Sequence, residues 1–427
     1  MNNGKQVVTW AKGANIYEVN VRQYTAEGTF NAFAQHLPRL KDMGVEILWL
    51  MPITPISRLK RLGSLGSYYA ASSYTDINPE FGTMDDFLSL VQTVHGLGMK
   101  IIIDWVANHT GADHHWTTEH PDWYLKDAAG NFTEVNGWND VIDLDYKNTA
   151  MRQGMVHAMQ FWVEKSGIDG FRCDMAHLVP IDFWVDARTQ CDAIRPLFWL
   201  AECDLPKYHA AFDVTYSWEW MHISENMVKG QASLGQMKDV LFRYAKYPKG
   251  ALKLYFTSNH DENSWNGTEY EKFHGAARAF AVFTLTWPGM PLIYSGQELP
   301  NVKRLKFFDK DQIDWKPDVV LHSFYKTFLQ LRKSHTCLQS GENAFAYMLP
   351  TQQDDKIFAY FLTDGASKVL VLLNFSQSDK LRINIQHAEL AGTYQNVISG
   401  IEYILKAEES FELQAWEYMV YAGTASL

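Results

Sequence analysis

The sequence predicts an α/β fold: a (β/α)8 TIM barrel with a small inserted subdomain after strand 3 and an all-β C-terminal domain. Three observations predict it. One unit recurs, an amphipathic helix followed by a glycine and then an apolar strand. Roughly eight such strands can be counted before residue 340, the number that closes a barrel. Two carboxylates, Asp174 and Glu202, end consecutive apolar runs one strand–helix unit apart. A barrel of this kind gathers successive strand ends on one rim, where its chemistry sits.

The elements follow in order. Ile16-Tyr17-Glu18 reads as the first strand. Phe30, Phe33, Leu37 and Leu40 lie at helical spacing, Gly44 stops that helix, and residues 45–51 form the second strand. Glycine just past a helix is the usual left-handed terminator. Thr83 and Asp86 make a capping box, Phe87, Val91, Val94 and Leu97 form the apolar face behind it, and Gly98 precedes a strand at 99–104. Met155, Met159 and Trp162 face inward, and Gly167 precedes the strand at 168–174. The remaining strands are expected at 197–202, 212–218, 252–261 and 292–296. Such continuous apolar strands imply a parallel sheet covered on both faces.

Two stretches break the rhythm. Residues 108–148 are polar and loop-like, too long for an ordinary connection, and are expected to form an inserted subdomain. From about residue 340 the helical pattern gives way to apolar runs at 356–363, 368–375, 381–385 and 411–421. The expected division is therefore a barrel at 1–107 and 149–339, the insert at 108–148, and an antiparallel β-sandwich at 340–427.

Composition narrows the function. A net charge of −11 gives the 427-residue chain no general attraction for nucleic acid or anionic lipid. The longest apolar stretch, Ala276 to Tyr294, is broken by Pro288-Gly289 and Pro291, so it reads as a buried helix and a strand rather than a membrane span. Residues 1–15 lack a basic segment followed by an apolar one, which gives a cytoplasmic expectation. The four cysteines lack metal-ligand spacing and read as buried, reduced thiols. The aromatic content is high, with 15 Trp, which suits both a large core and a site where rings stack on pyranose faces.

Four polar clusters end predicted strands. They are Asp104 to His109, Arg172-Cys173-Asp174, Ala201-Glu202 and Ser258-Asn259-His260-Asp261. Arg172 and Asp174, at alternate strand positions, project to one side of the sheet, and the cation keeps its neighbour ionised, as a nucleophile requires. Glu202 follows apolar residues, where desolvation near other carboxylates suits a proton donor. A nucleophile and a proton donor on neighbouring strand ends are what retaining glycoside hydrolysis needs.

These clusters, in this order and spacing, resemble the four sequence regions of the α-amylase family, glycoside hydrolase family 13. Supporting segments are Tyr74-Thr75-Asp76-Ile77-Asn78-Pro79-Glu80-Phe81-Gly82-Thr83, Val141-Ile142-Asp143-Leu144, and Gly289 to Glu298. The resemblance implies catalytic roles: Asp174 as nucleophile, Glu202 as acid and base, and Asp261 as transition-state stabiliser. It implies sugar contacts from Tyr69, His109, Arg172, His177 and His260. His177 stands where many amylases have lysine. The resemblance further implies an α-glucan substrate, no organic cofactor, and a structural Ca²⁺ on Asn108 and Asp143. The expected activity is hydrolysis of α-1,4-glucosidic bonds in starch-type glucans or maltooligosaccharides. The alternatives are a glucanotransferase or sucrose-acting transglycosylase using the same residues, and a non-catalytic carbohydrate-binding relative.

Overall fold

The computed structural model describes residues 8–339 and 345–424. The boundary expected at residue 340 and residues 1–7 lie outside the described residues. Eight strands hydrogen-bond into a closed barrel: β1 (Ile16–Val19), β2 (Ile47–Leu50), β3 (Lys100–Trp105), β6 (Gly170–Cys173), β7 (Phe198–Ala201), β8 (Val214–Tyr216), β9 (Leu252–Tyr255) and β10 (Met290–Tyr294). Between β3 and β6, the short antiparallel pair β4 (His109–Gly111) and β5 (Val141–Asp143) organises the insert. By packing the chain forms two compact units. The first holds residues 17–216 and 303–314, and the second holds 9–16, 217–302 and the chain from Trp315.

Every residue of β1, β2, β6, β7 and β8 is buried, which explains their unbroken apolar character. The connecting helices start and stop where the sequence says. Thr83 and Asp86 form the capping box of helix Met84–Gly96. Asn148 caps helix Thr149–Ser166, and Gly167 ends it in the left-handed conformation. One helix differs from expectation. The run from Phe30 to Met43 is two helices, Phe30–Ala34 and Leu37–Met43, because Pro38 lacks the amide hydrogen that would continue the first into the second. The buried Asp169 ties the start of β6 to β3 by accepting from the Ile101 amide at 3.0 Å and from Lys100 at 3.0 Å.

In the second unit, the strand expected at 252–261 ends at Tyr255. Asp261 instead precedes a π-helical turn, Glu262–Asn266, which the apolar pattern does not announce. The stretch from Ala276 to Tyr294 resolves into helix Ala277–Thr286 and β10. The C-terminal strands are β11 (Phe345–Leu349), β12 (Ile357–Thr363), β13 (Ser367–Asn374), β14 (Leu381–Gln386), β15 (Gly392–Asn396), β16 (Glu402–Leu405), β17 (Glu408–Leu413) and β18 (Tyr418–Thr424). They form a six-stranded antiparallel sheet and a two-stranded one, β14 with β17, around one core that includes Phe361, Leu370, Leu372, Ile383 and Leu413. The run expected at 411–421 is two strands in different sheets. Trp416, at φ +58°, makes the break between them. All four cysteines are buried free thiols. Among the described residues no helix is long and apolar enough to cross a membrane.

Gly170 opens β6 against β7 with no room for a side chain. A Cβ there would lie 2.0 Å from the Phe198 carbonyl oxygen, a backbone atom that cannot step aside. Gly170→Ala is expected to destabilise the protein by about 1–3 kcal/mol, the usual range for overpacking. A denaturation midpoint equal to wild type would contradict this reading.

Candidate active site

The first unit assembles its site at the C-terminal ends of β3, β6, β7 and β8. Paired ladders set the heights. Ile103, Asp104 and Trp105 run beside Phe171, Arg172 and Cys173, and Cys173 lies opposite Ala201. The ladder continues one residue further, with the Asp174 amide bonded to the Trp105 carbonyl and the Glu202 amide to that of Cys173, both at 3.0 Å. Asp174 and Glu202 are therefore fixed side by side by main-chain bonds before any side chain is considered.

Arg172 lies at the centre. Its Nη1 donates to Asp104 Oδ1 at 2.9 Å and to Asp174 Oδ1 at 3.0 Å, while Nη2 donates to Glu202 Oε2 at 2.7 Å and Nε to the Tyr216 hydroxyl at 3.2 Å. Its guanidinium carbon lies 4.9 Å from the Trp49 ring centre. Burial works against the charge of Arg172, but Asp104, Tyr216, Glu202 and Tyr69 hold its proton all the more firmly. Arg172 was expected to serve Asp174. In the structure it binds three carboxylates, and its contact to Glu202 is the shortest. Glu202 Oε2 also accepts the Met175 amide at 2.9 Å. Met175 reaches that position through a left-handed backbone, φ +39°, which bends the chain sharply after Asp174.

Around this cluster, Tyr69 is half-buried. Its hydroxyl donates to Asp104 Oδ2 at 3.1 Å and its ring stacks on Phe307, with centres 6.2 Å apart at 14°. His109 is buried beside the Trp138 ring. Burial pushes its pKa down to about 4, against a weaker opposing effect of its backbone contact with Tyr69, so the imidazole is neutral at neutral pH. His177 sits in the short turn Ala176–Leu178 with its side chain exposed, outside the buried cluster. Trp49, Tyr216 and Phe307 are not singled out from the sequence, and Asp104, which opens the first polar cluster, is given no role there. Asp104 and Tyr216 carry a faint signal, since each is a polar residue at a strand end. Trp49 and Phe307 carry none.

The remaining expected residues fall elsewhere. Asn108 and Asp143 lie on neighbouring backbone: His109 pairs with Asp143 across β4 and β5, and the Leu144 amide bonds to the Asn108 carbonyl at 3.2 Å. Asp143 Oδ2 accepts the Val135 amide at 2.9 Å, while Oδ1 is buried without a partner. Among the described residues no group of three His, Cys, Asp or Glu side chains has metal-binding geometry, so a cation here would need amide and carbonyl oxygens as well. In the second unit, His260 is buried with Nε2 3.3 Å from Asp261 Oδ2, and Asp261 is 37% exposed.

An eight-stranded barrel whose neighbouring strand ends offer two carboxylates on a shared guanidinium has the layout of a barrel glycosidase. Comparison with known proteins agrees. A family model described as alpha amylase, catalytic domain, matches residues 4–122 and 117–209. Alpha-amylase 3 of Dictyoglomus thermophilum is 28% identical, with 86% of each chain covered. Alpha-amylase MalA of Haloarcula japonica is 26% identical over 86% of this chain, which spans only 56% of that relative's length. The solved structure of a noncanonic maltogenic alpha-amylase from Thermotoga neapolitana superposes with a TM-score of 0.89 at 28% identity, covering 96% of this chain and 99% of the other. The chain belongs to the α-amylase family and is a glycosidase.

The neutral His109 has a measurable consequence. Its folded pKa, about 4, lies below the ordinary value of 6.5, so the unfolded chain takes up a proton that the folded one refuses. Its contribution is full above pH 6.5 and falls away as pH drops towards 4. At full extent the loss is about 3 kcal/mol. His109→Gln is expected to flatten the fall in unfolding free energy between pH 6.5 and 4 relative to wild type. Parallel slopes for the two proteins in urea titrations would contradict it.

Proposed function

We propose that the protein hydrolyses α-1,4-glucosidic bonds in starch-type glucans or maltooligosaccharides with retention of anomeric configuration. One observation carries this reading: Arg172 grips Asp174 and Glu202 with adjacent nitrogens of one guanidinium, on neighbouring strand ends. Retention needs two carboxyl groups roughly 5–5.5 Å apart, and a shared planar cation favours such a short separation. The alpha-amylase names of the relatives supply the substrate class.

In the proposed mechanism Glu202 protonates the glycosidic oxygen as Asp174 attacks the anomeric carbon. The carbon–oxygen bond to the leaving chain breaks and an ester to Asp174 forms. A water molecule then gives its proton to Glu202 and its oxygen to the anomeric carbon, which frees Asp174. Arg172 keeps Asp174 charged before the attack. Tyr69, braced by Phe307 and by its bond to Asp104, offers a ring face to the sugar. His109 is neutral, so its imidazole exchanges hydrogen bonds with sugar hydroxyls and adds no charge. Asp261 and the adjacent His260 hold hydroxyls of the distorted ring. His177, exposed past Asp174, borders the leaving-group side.

The test is a product time-course on maltoheptaose with the anomers resolved. Shorter products released first as the α-anomer are expected. Asp174→Asn and Glu202→Gln should each lower turnover by about 10³-fold or more. β-Anomeric products, or full activity in either variant, would overturn the mechanism. Products longer than the substrate would place the chain among the transglycosylases instead.

We propose further that Asn108 and Asp143 hold a structural Ca²⁺. The partnerless, buried Asp143 Oδ1 is a hard oxygen donor of the kind this ion takes. No chemical step passes through it. Added Ca²⁺ is expected to raise the melting temperature of wild type and to leave Asp143→Ala unmoved. An equal response in both proteins would remove the assignment.

A further inference from the structure

Asp261 is followed by a π-helical turn that the proposed reaction does not use. In this turn the Gly267 amide bonds to the Glu262 carbonyl, five residues back, at 2.9 Å. The turn is pinned from below. Glu262 is buried, with Oε2 2.6 Å from the equally buried Lys272 Nζ and Oε1 accepting from Asn266 at 2.9 Å, while its amide donates to Asn259 Oδ1 at 2.8 Å. Gly267, at φ +120°, closes the turn, and a capping box on Thr268 and Glu271 starts the next helix.

This anchoring has a directional result. Glu262 and Asn263 point inward and are buried, whereas Trp265 is 52% exposed. With roughly 4.4 residues per turn in a π-helix, a residue four positions on returns nearly to the same face. Trp265 thus shares the outward face with Asp261. About half of this large indole is open to solvent on a turn held by a buried ion pair, and an aromatic face is the surface on which the apolar side of a pyranose stacks.

We propose that Trp265 is a sugar-binding platform: it stacks on a glucose unit of the bound α-glucan next to the unit whose hydroxyls Asp261 holds. This rests on the glucan reading above. It makes the π-turn a rigid bracket that carries a hydrogen-bonding carboxylate and a stacking ring as one piece.

The test compares wild type with Trp265→Ala and Trp265→Phe for kcat and KM on maltoheptaose. Calorimetry with maltoheptaose in a Glu202→Gln background measures binding apart from turnover. Trp265→Ala is expected to raise Kd and to lower kcat/KM by about ten-fold, the size of a lost stacking contact. Trp265→Phe should recover most of that, and all three proteins should still unfold in one cooperative transition. Binding and kcat/KM unchanged in Trp265→Ala would overturn the platform while leaving the glucan reading intact. No binding or turnover of maltoheptaose by the unsubstituted protein would overturn both.

Discussion

A guanidinium among three carboxylates is the constraint on which the first unit depends. Arg172 is fully buried, and Asp104, Asp174 and Glu202 beside it are buried to within 5–6% exposure. Neither the guanidinium nor an ionised carboxylate is tolerable there alone, since an unpaired buried charge costs several kcal/mol. Each of β3, β6 and β7 brings one acid to the cluster, and β8 adds the Tyr216 hydroxyl to the same cation. The strands must therefore stop at matched heights. The main-chain bonds from Asp174 to Trp105 and from Glu202 to Cys173, and the close approach at Gly170, make them do so.

The arrangement is also unbalanced. With Glu202 holding the proton it donates, the two aspartates still outnumber the one cation, and His109 is held neutral by burial. The cluster thus presents a surplus of negative charge in a buried site. Such a field favours positive charge appearing opposite it, which is the charge an oxocarbenium-like transition state develops. A charged histidine at position 109 would cancel part of that field. Its depressed pKa, about 4, keeps it uncharged into mildly acidic pH, so the negative surplus persists there.

The sequence makes some of this legible and hides the rest, for physical reasons. Strand ends are readable because apolar runs stop abruptly at a polar residue, so Asp174, Glu202 and Arg172 stand out. The insert and the C-terminal sheets can be recognised by the loss of helical periodicity. What stays hidden is whatever depends on backbone torsion or distant packing. Pro38 splits an apparently continuous helix, Trp416 divides one apolar run between two sheets, and β9 stops at Tyr255 while the polar residues after it enter a π-turn. The number of acids that share Arg172 is likewise invisible. Asp104 is distant from Glu202 in sequence, and only strand register brings both to one guanidinium.

Two kinds of positioning follow from these differences. Asp174 and Glu202 are placed by ladder bonds between strands, so their spacing cannot change without shifting the barrel itself. Asp261 is placed by a local turn, held by Asn259, Glu262 and Lys272, whose geometry is independent of strand register. Tyr69 lies between these cases. Its ring is braced by a loop residue, Phe307, but its hydroxyl is bonded to Asp104 and so to the cluster. In the proposed mechanism, bond-breaking geometry thus resides in the strand ladder, and the grip on the sugar chain resides in side chains on turns, such as Trp265.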